Sequence, residues 1–213
     1  MRRGLTEIVF ILDRSGSMRG LEKDTIGGYN GMMEKQKKEE GEALVTTVLF
    51  DDRIDVICDR VPLDSLPEMT EREYYVRGCT ALLDAVGSTV ERIATIHKYA
   101  REEDRPEHTI FMITTDGLEN ASRSYSYRKV KSLIEKEQEK YGWEFIFLGA
   151  NIDAARAAGD IGIRRERAVN YHSDPIGTAK NYRAMDMAVS ALRSGADLDN
   201  SWREDVDEDF RSR

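Results

Sequence analysis

The chain has 213 residues, with 32 lysines and arginines against 40 aspartates and glutamates and a formal net charge of -8. Acids and bases alternate, as in Glu34-Lys35-Gln36-Lys37-Lys38-Glu39-Glu40, so no basic face is concentrated and no nucleic-acid partner is expected. Its 40% hydrophobic residues suffice for a sizeable core and exclude wholesale disorder, while no run of about 18 apolar residues exists to span a membrane.

Ile8-Val9-Phe10-Ile11-Leu12 is an unbroken apolar run bounded by polar residues, which predicts a strand buried on both faces, as in a parallel sheet. A Ser/Gly turn follows, then a helix over about Leu21–Glu40. Gly27, Gly28 and Gly31 lie inside it, each costing a helix about 1 kcal/mol relative to alanine; close packing of helix on sheet would explain them. Leu44–Phe50 predicts a second strand and Arg53–Asp59 a third, with Ile54, Val56 and Cys58 sharing one face. The short Asp51-Asp52 connection makes this pair an antiparallel hairpin, since a parallel crossover needs about a dozen residues. Pro62 and Pro67 mark an irregular connection.

Leu82, Val86, Val90, Ile93 and Ile96 fall on one stripe, predicting a helix over Ala81–Tyr99. Thr109–Thr115 predicts a buried strand, Tyr127–Lys140 a helix, Trp143–Leu148 a strand and Ala154–Ala158 a short helix. Ala168–Tyr171 reads as the last strand and Ile176–Arg193 as a helix, with Pro175 in its first turn and Ser173 or Asp174 as cap. This alternation defines an α/β domain: a doubly wound, mostly parallel central sheet of about six strands, with one antiparallel edge strand, flanked by helices. The domain is expected over residues 1–195. In residues 196–213 the acids Asp197, Asp199, Glu204, Asp205, Asp207, Glu208 and Asp209 dominate, which reads as an acidic tail, disordered or folded back through Trp202 and Phe210.

In open α/β sheets ligands gather at the carboxyl ends of the strands, near the point where strand order reverses. The first strand ends in Asp13-Arg14-Ser15-Gly16-Ser17, the strand Thr109–Thr115 in Asp116-Gly117, and Gly78-Cys79-Thr80 precedes the helix at Ala81. On one rim these loops offer two carboxylates and three hydroxyls, hard oxygen donors that suit Mg²⁺, Mn²⁺ or Ca²⁺ and not Zn²⁺. Two close carboxylates repel, and a divalent cation offsets that cost. Taken singly, Ser15, Ser17 and the two aspartates could be turn and capping residues, and Thr80 the N-cap of the helix from Ala81. Cys79 reads as a small buried residue, and neither it nor Cys58 sits in a Cys-x-x-Cys pair. His97 reads as a surface or capping residue of its helix; His97, His108 and His172 form no triad order, and no Gly-x-Ser-x-Gly elbow occurs.

Asp13-x-Ser15-x-Ser17, followed by Thr80 and Asp116, resembles the metal-ion-dependent adhesion site of von Willebrand factor A domains. The resemblance extends to Arg77-Gly78-Cys79-Thr80-Ala81-Leu82 and Thr114-Thr115-Asp116-Gly117-Leu118-Glu119-Asn120, and covers about Leu5 to Arg193. It implies that Ser15, Ser17 and Thr80 contact a metal directly or through water, and that Asp13 and Asp116 bind it or hold its waters. A Glu or Asp carboxylate of a partner protein would complete the octahedron. The undecorated form is most similar to stand-alone bacterial intracellular members, and with no signal segment after Met1-Arg2-Arg3 a cytoplasmic location is expected. The function expected is a metal-dependent protein-binding module and not an enzyme. The alternatives are a Mg²⁺-dependent phosphate-ester hydrolase, or an assembly component with a structural metal.

Overall fold

The computed structural model describes residues 1–213. Strands β1 (Arg2–Asp13), β2 (Glu42–Phe50), β3 (Ile54–Pro62), β4 (Pro106–Thr115), β5 (Glu144–Ala150) and β6 (Ala168–Tyr171) form one sheet, in the order β3-β2-β1-β4-β5-β6. Every neighbouring pair is parallel except the β2–β3 hairpin. The helices are α1 (Glu22–Gln36), α2 (Leu82–Tyr99), α3 (Tyr127–Tyr141), α4 (Ala154–Asp160), α5 (Pro175–Arg193) and α6 (Glu204–Ser212). None of them is long and apolar enough to cross a membrane.

Side chains alternate across a strand, so the unbroken run of β1 serves two cores at once. Ile8, Phe10 and Leu12 pack with Tyr29, Met32 and Met33 of α1 and Met185 and Val189 of α5. Val9 and Ile11 pack on the other face with Val86, Val90 and Ile93 of α2 and Val130 and Ile134 of α3. Each such chain, fully buried, contributes about 1.5–3 kcal/mol before entropy is charged against it. The sheet turns direction at β1: β2 lies on one side of it and β4 on the other. The carboxyl ends of β1 and β4 therefore flank the switch point.

Several local expectations need correction. Helix α1 stops at Gln36, short of the charged stretch that ends at Glu40. Strand β3 runs on to Pro62, and its register shifts opposite Thr47 while Arg60 takes φ +51°. That irregularity sends Ile54 to the α2 side and Cys58 to the α1 side, so Ile54, Val56 and Cys58 do not share a face. His97 is not a surface or capping residue. Its Nε2 lies 2.6 Å from Oε2 of the fully buried Glu7, whose other oxygen accepts from Arg60 Nε at 2.8 Å. A carboxylate carried into the core by β1 needs such partners.

Of the α1 glycines, Gly28 alone serves a close contact, and that contact is helix on helix and not helix on sheet. A methyl group on Gly28 would penetrate the ring of Tyr182 on α5, whereas Gly27 faces open space. Gly28→Ala should therefore destabilise by about 1–3 kcal/mol through overpacking, against its helix propensity. Gly27→Ala should stabilise by up to about 1 kcal/mol. Urea denaturation of both variants checks the contrast, and equal shifts would refute it.

Residues beyond α5 pack back onto the domain. Leu198, Trp202 and Val206 join the α1/α5 core, and Phe210, 38% exposed, stacks on His172 at 4.9 Å. The carboxylates of α6 are engaged locally: Asp205 with Lys180 at 2.7 Å, Asp207 with Arg203 at 2.7 Å, and Asp209 with Arg213 at 2.5 Å.

Candidate metal centre

Asp13 is the last residue of β1 and is 1% exposed. Its Oδ1 accepts from the Ser15 backbone N–H at 2.6 Å, closing the turn that Gly16–Met18 continues as a short 3-10 helix. Its Oδ2 accepts from the hydroxyl of Thr115, the last residue of β4, at 2.6 Å. One carboxylate thus ties together the ends of the two central strands.

The Ser15 and Ser17 hydroxyls lie 2.9 Å apart, and Ser17 donates in turn to Asp116 Oδ1. The other Asp116 oxygen accepts from Ser173, in the loop between β6 and α5, at 3.3 Å. Thr80 comes from a third direction. Its N–H donates to Asn120 Oδ1 at 2.9 Å, and its carbonyl accepts from the Asn120 and Ala121 N–H groups. A Cβ on Gly117 would sit 3.3 Å from Thr80 Oγ1 and 3.6 Å from Ser17 Oγ, so both hydroxyls lie against this glycine. The structure brings Asp13, Ser15, Ser17, Thr80 and Asp116 to one rim. All are buried but Ser17, which opens the group to solvent.

Two readings of this region change. Thr80 is not a cap: Ala81 holds the N-cap position of α2, and no side-chain capping bond is made. Cys79 is exposed, and the chain turns inward only at Thr80 and Ala81. Thr115, Asn120 and Ser173 were missing from the sequence-derived set. Ser173 lies just past the carboxyl end of β6, where the same strand-end rule applies. Thr115 was counted as strand, and nothing in its sequence separates it from Thr114.

Electrostatics follow from burial. Desolvation pushes the Asp13 carboxyl up to about 6; hydrogen bonds from Thr115 and Ser15 oppose the rise and Asp116 adds to it. Burial also raises Asp116, against the pull of Ser17 and Ser173. Both negative charges are costly in the absence of a counterion. No cluster of three or more His, Cys, Asp or Glu side chains in the structure could hold a metal ion, so any cation here must draw on hydroxyls as well as carboxylates. Two hard carboxylates and three hydroxyls on one open rim fit a divalent, oxygen-preferring cation.

The sequence matches no protein-family model and no curated protein. Solved structures are similar in fold. Proximal thread matrix protein 1 from the mussel byssus, with a zinc-occupied MIDAS motif, superposes with a TM-score of 0.60 at 18% identity, over 87% of this chain and 46% of that one. A von Willebrand factor type A protein from Catenulispora acidiphila gives 0.58 at 15% identity, over 87% and 42%. Manganese-loaded TRAP from Plasmodium vivax gives 0.57 at 14% identity, over 85% and 73%. The chain spans less than half the length of the first two. The architecture, a mostly parallel six-stranded sheet with one antiparallel edge strand between helical layers, is that of a von Willebrand factor A domain.

Proposed function

We propose that this chain is a metal-dependent protein-binding module. A divalent cation, Mg²⁺ in the first instance, is held by Asp13, Ser15, Ser17, Thr80 and Asp116 and takes a Glu or Asp carboxylate of a partner protein. The observation that carries this reading is the convergence of three separate loops on one rim that is buried behind and open at Ser17. The two carboxylates balance a divalent charge, while neutral hydroxyls fill further positions without adding to it. An ion so held remains electrophilic toward an outside carboxylate. The zinc and manganese of the mussel and Plasmodium proteins favour a divalent ion here too.

Two measurements test the reading. Millimolar Mg²⁺ or Mn²⁺ should raise the melting temperature of the wild type by several degrees, since a ligand at about 100 times its Kd stabilises by about 2.7 kcal/mol. A partner recovered on immobilised wild type with Mg²⁺ should be lost both on chelation and with Asp116→Ala. A melting curve indifferent to metal would sink the proposal. Phosphate-ester turnover abolished by Asp116→Ala would replace it with the hydrolase reading.

A further inference from the structure

Behind the rim lies an ion-pair cluster that contributes no metal-facing oxygen. Arg14, inside the Asp13–Ser17 turn, is 1% exposed, and Asp51, in the β2–β3 turn, is fully buried. Arg14 Nε donates to Asp51 Oδ2 at 2.9 Å and its Nη2 donates to Asp55. Arg77, in the loop that ends at Thr80, donates through Nε to the same Asp51 oxygen at 2.6 Å and through Nη2 to Asp55 at 2.9 Å. Two guanidiniums and two carboxylates make a neutral square. Each arginine uses the planar, multiply donating geometry that a lysine lacks.

The backbone repeats the same connections. Arg77 N–H donates to the Arg14 carbonyl at 2.9 Å, Gly16 N–H to the Gly78 carbonyl at 3.2 Å, and Ala81 N–H to the Asp51 carbonyl at 2.9 Å. Gly78 takes φ +66°, and a Cβ there would collide with the Asp52 carboxylate, so the loop is pressed onto the β2–β3 turn. Asp13, Ser15, Ser17 and Asp116 are bound to one another or to the strand ends by their own side chains. Thr80 Oγ1 has no such bond; the Thr80 backbone is held by Asn120 and Ala121 on one side, and the loop that delivers it is fixed by the square on the other.

We propose that Arg77 and Arg14, locked on Asp51 and Asp55, are positioning residues that set the reach of Thr80 to the metal. The proposal rests on the metal-binding reading above. A buried ion-pair cluster adds little net stability compared with apolar packing; what it supplies is geometry. Breaking its fork should therefore be read in cation affinity, on the scale of about 10–100-fold seen when supporting groups of metal ligands are removed.

The test is a double-mutant cycle on the full chain, with Mn²⁺ alone as probe and its Kd measured by calorimetry. Arg77→Lys keeps the charge, and Arg77 is partly exposed, so the fold should survive. It should weaken Mn²⁺ at least tenfold in the wild-type background and less than twofold when Thr80→Ala is already present. Arg14→Lys, with a melting curve for each protein, is the second variant and should show the same dependence on Thr80. Wild-type affinity in Arg77→Lys, or an equal loss with and without Thr80, would overturn the proposal while leaving metal binding intact. A wild type that takes no Mn²⁺ would overturn both readings, and this separates the two failures.

Discussion

Asp13→Asn is expected to abolish the response to cations and, in the same protein, to make the metal-free chain more stable at neutral pH. The Asp13 carboxyl is pushed from 3.8 up to about 6 by burial. Between those values the folded chain binds the proton and the unfolded chain does not, so stability falls as pH rises through that window. Below about 4 both states are protonated and nothing is lost; above about 6 the penalty is full and constant. A shift of this size corresponds to about 3 kcal/mol at pH 7.5. Asparagine carries no charge to desolvate and can still accept from the Ser15 N–H, so the variant should recover about 1–3 kcal/mol. Asp116, raised by burial as well, contributes with the same sign.

Urea titrations at pH 4.5 and 7.5 of metal-free wild type and Asp13→Asn read this directly. The wild type should lose stability between the two conditions and the variant should lose less. Millimolar Mg²⁺ should rescue only the wild type, with an affinity that climbs up to about pH 6 and then levels, because proton and cation compete for one carboxylate. A variant no more stable than the wild type at pH 7.5 would mean that burial is not what raises Asp13.

The second large effect is expected far from the rim. Trp202→Ala should cost about 3–5 kcal/mol, a substantial part of the 5–15 kcal/mol that holds a typical domain together. Trp202 is 2% exposed and sits in the same core as Val189 and Leu192, which brings the acidic segment down onto α5. Its indole N–H is buried without a partner. Trp202→Phe, which deletes that donor and keeps most of the ring area, should therefore cost much less. Phe210→Ala, at a half-exposed site, should cost about 1 kcal/mol. A loss below about 1 kcal/mol for Trp202→Ala in urea denaturation would show that α6 is a loosely attached appendage.

The sheet was readable because its strands speak in a simple pattern. Ile8–Leu12 and Ile110–Ile113 are apolar on both faces, which only an internal strand between two helical layers requires. The Asp51-Asp52 turn is too short for anything but a hairpin. That the five candidate residues share one rim could be read because each follows or precedes a recognisable element at the sheet's carboxyl edge. Residues whose role comes from a neighbour distant in sequence stayed hidden. Glu7 lies just before the apolar run, and only the arrival of Arg60 and His97 makes it a buried ion pair. Gly28 was expected to pack close on the sheet, whereas Tyr182, far along the chain, fills the space beside it. The acids of α6 read as a tail that is disordered or folded back through Trp202 and Phe210, and composition does not reveal that Lys180 and Arg183 pair with Asp205. Cys79 was expected to be buried, but the loop turns inward only from Thr80, and its sequence does not mark that boundary.

The placement of β1 carries a kinetic burden. It is the first strand in the sequence and a central one in the sheet, paired on one side with β2 and on the other with β4, so that Ile8 must meet Ile110. Closing contacts at that separation is slow. During synthesis at about 5–20 residues per second, the sticky segment Ile8–Leu12 waits several seconds for its second neighbour. Over that interval an unpaired hydrophobic edge is presented to every other nascent chain, so the yield of native protein should depend on chaperone capacity and temperature more steeply than its final stability suggests.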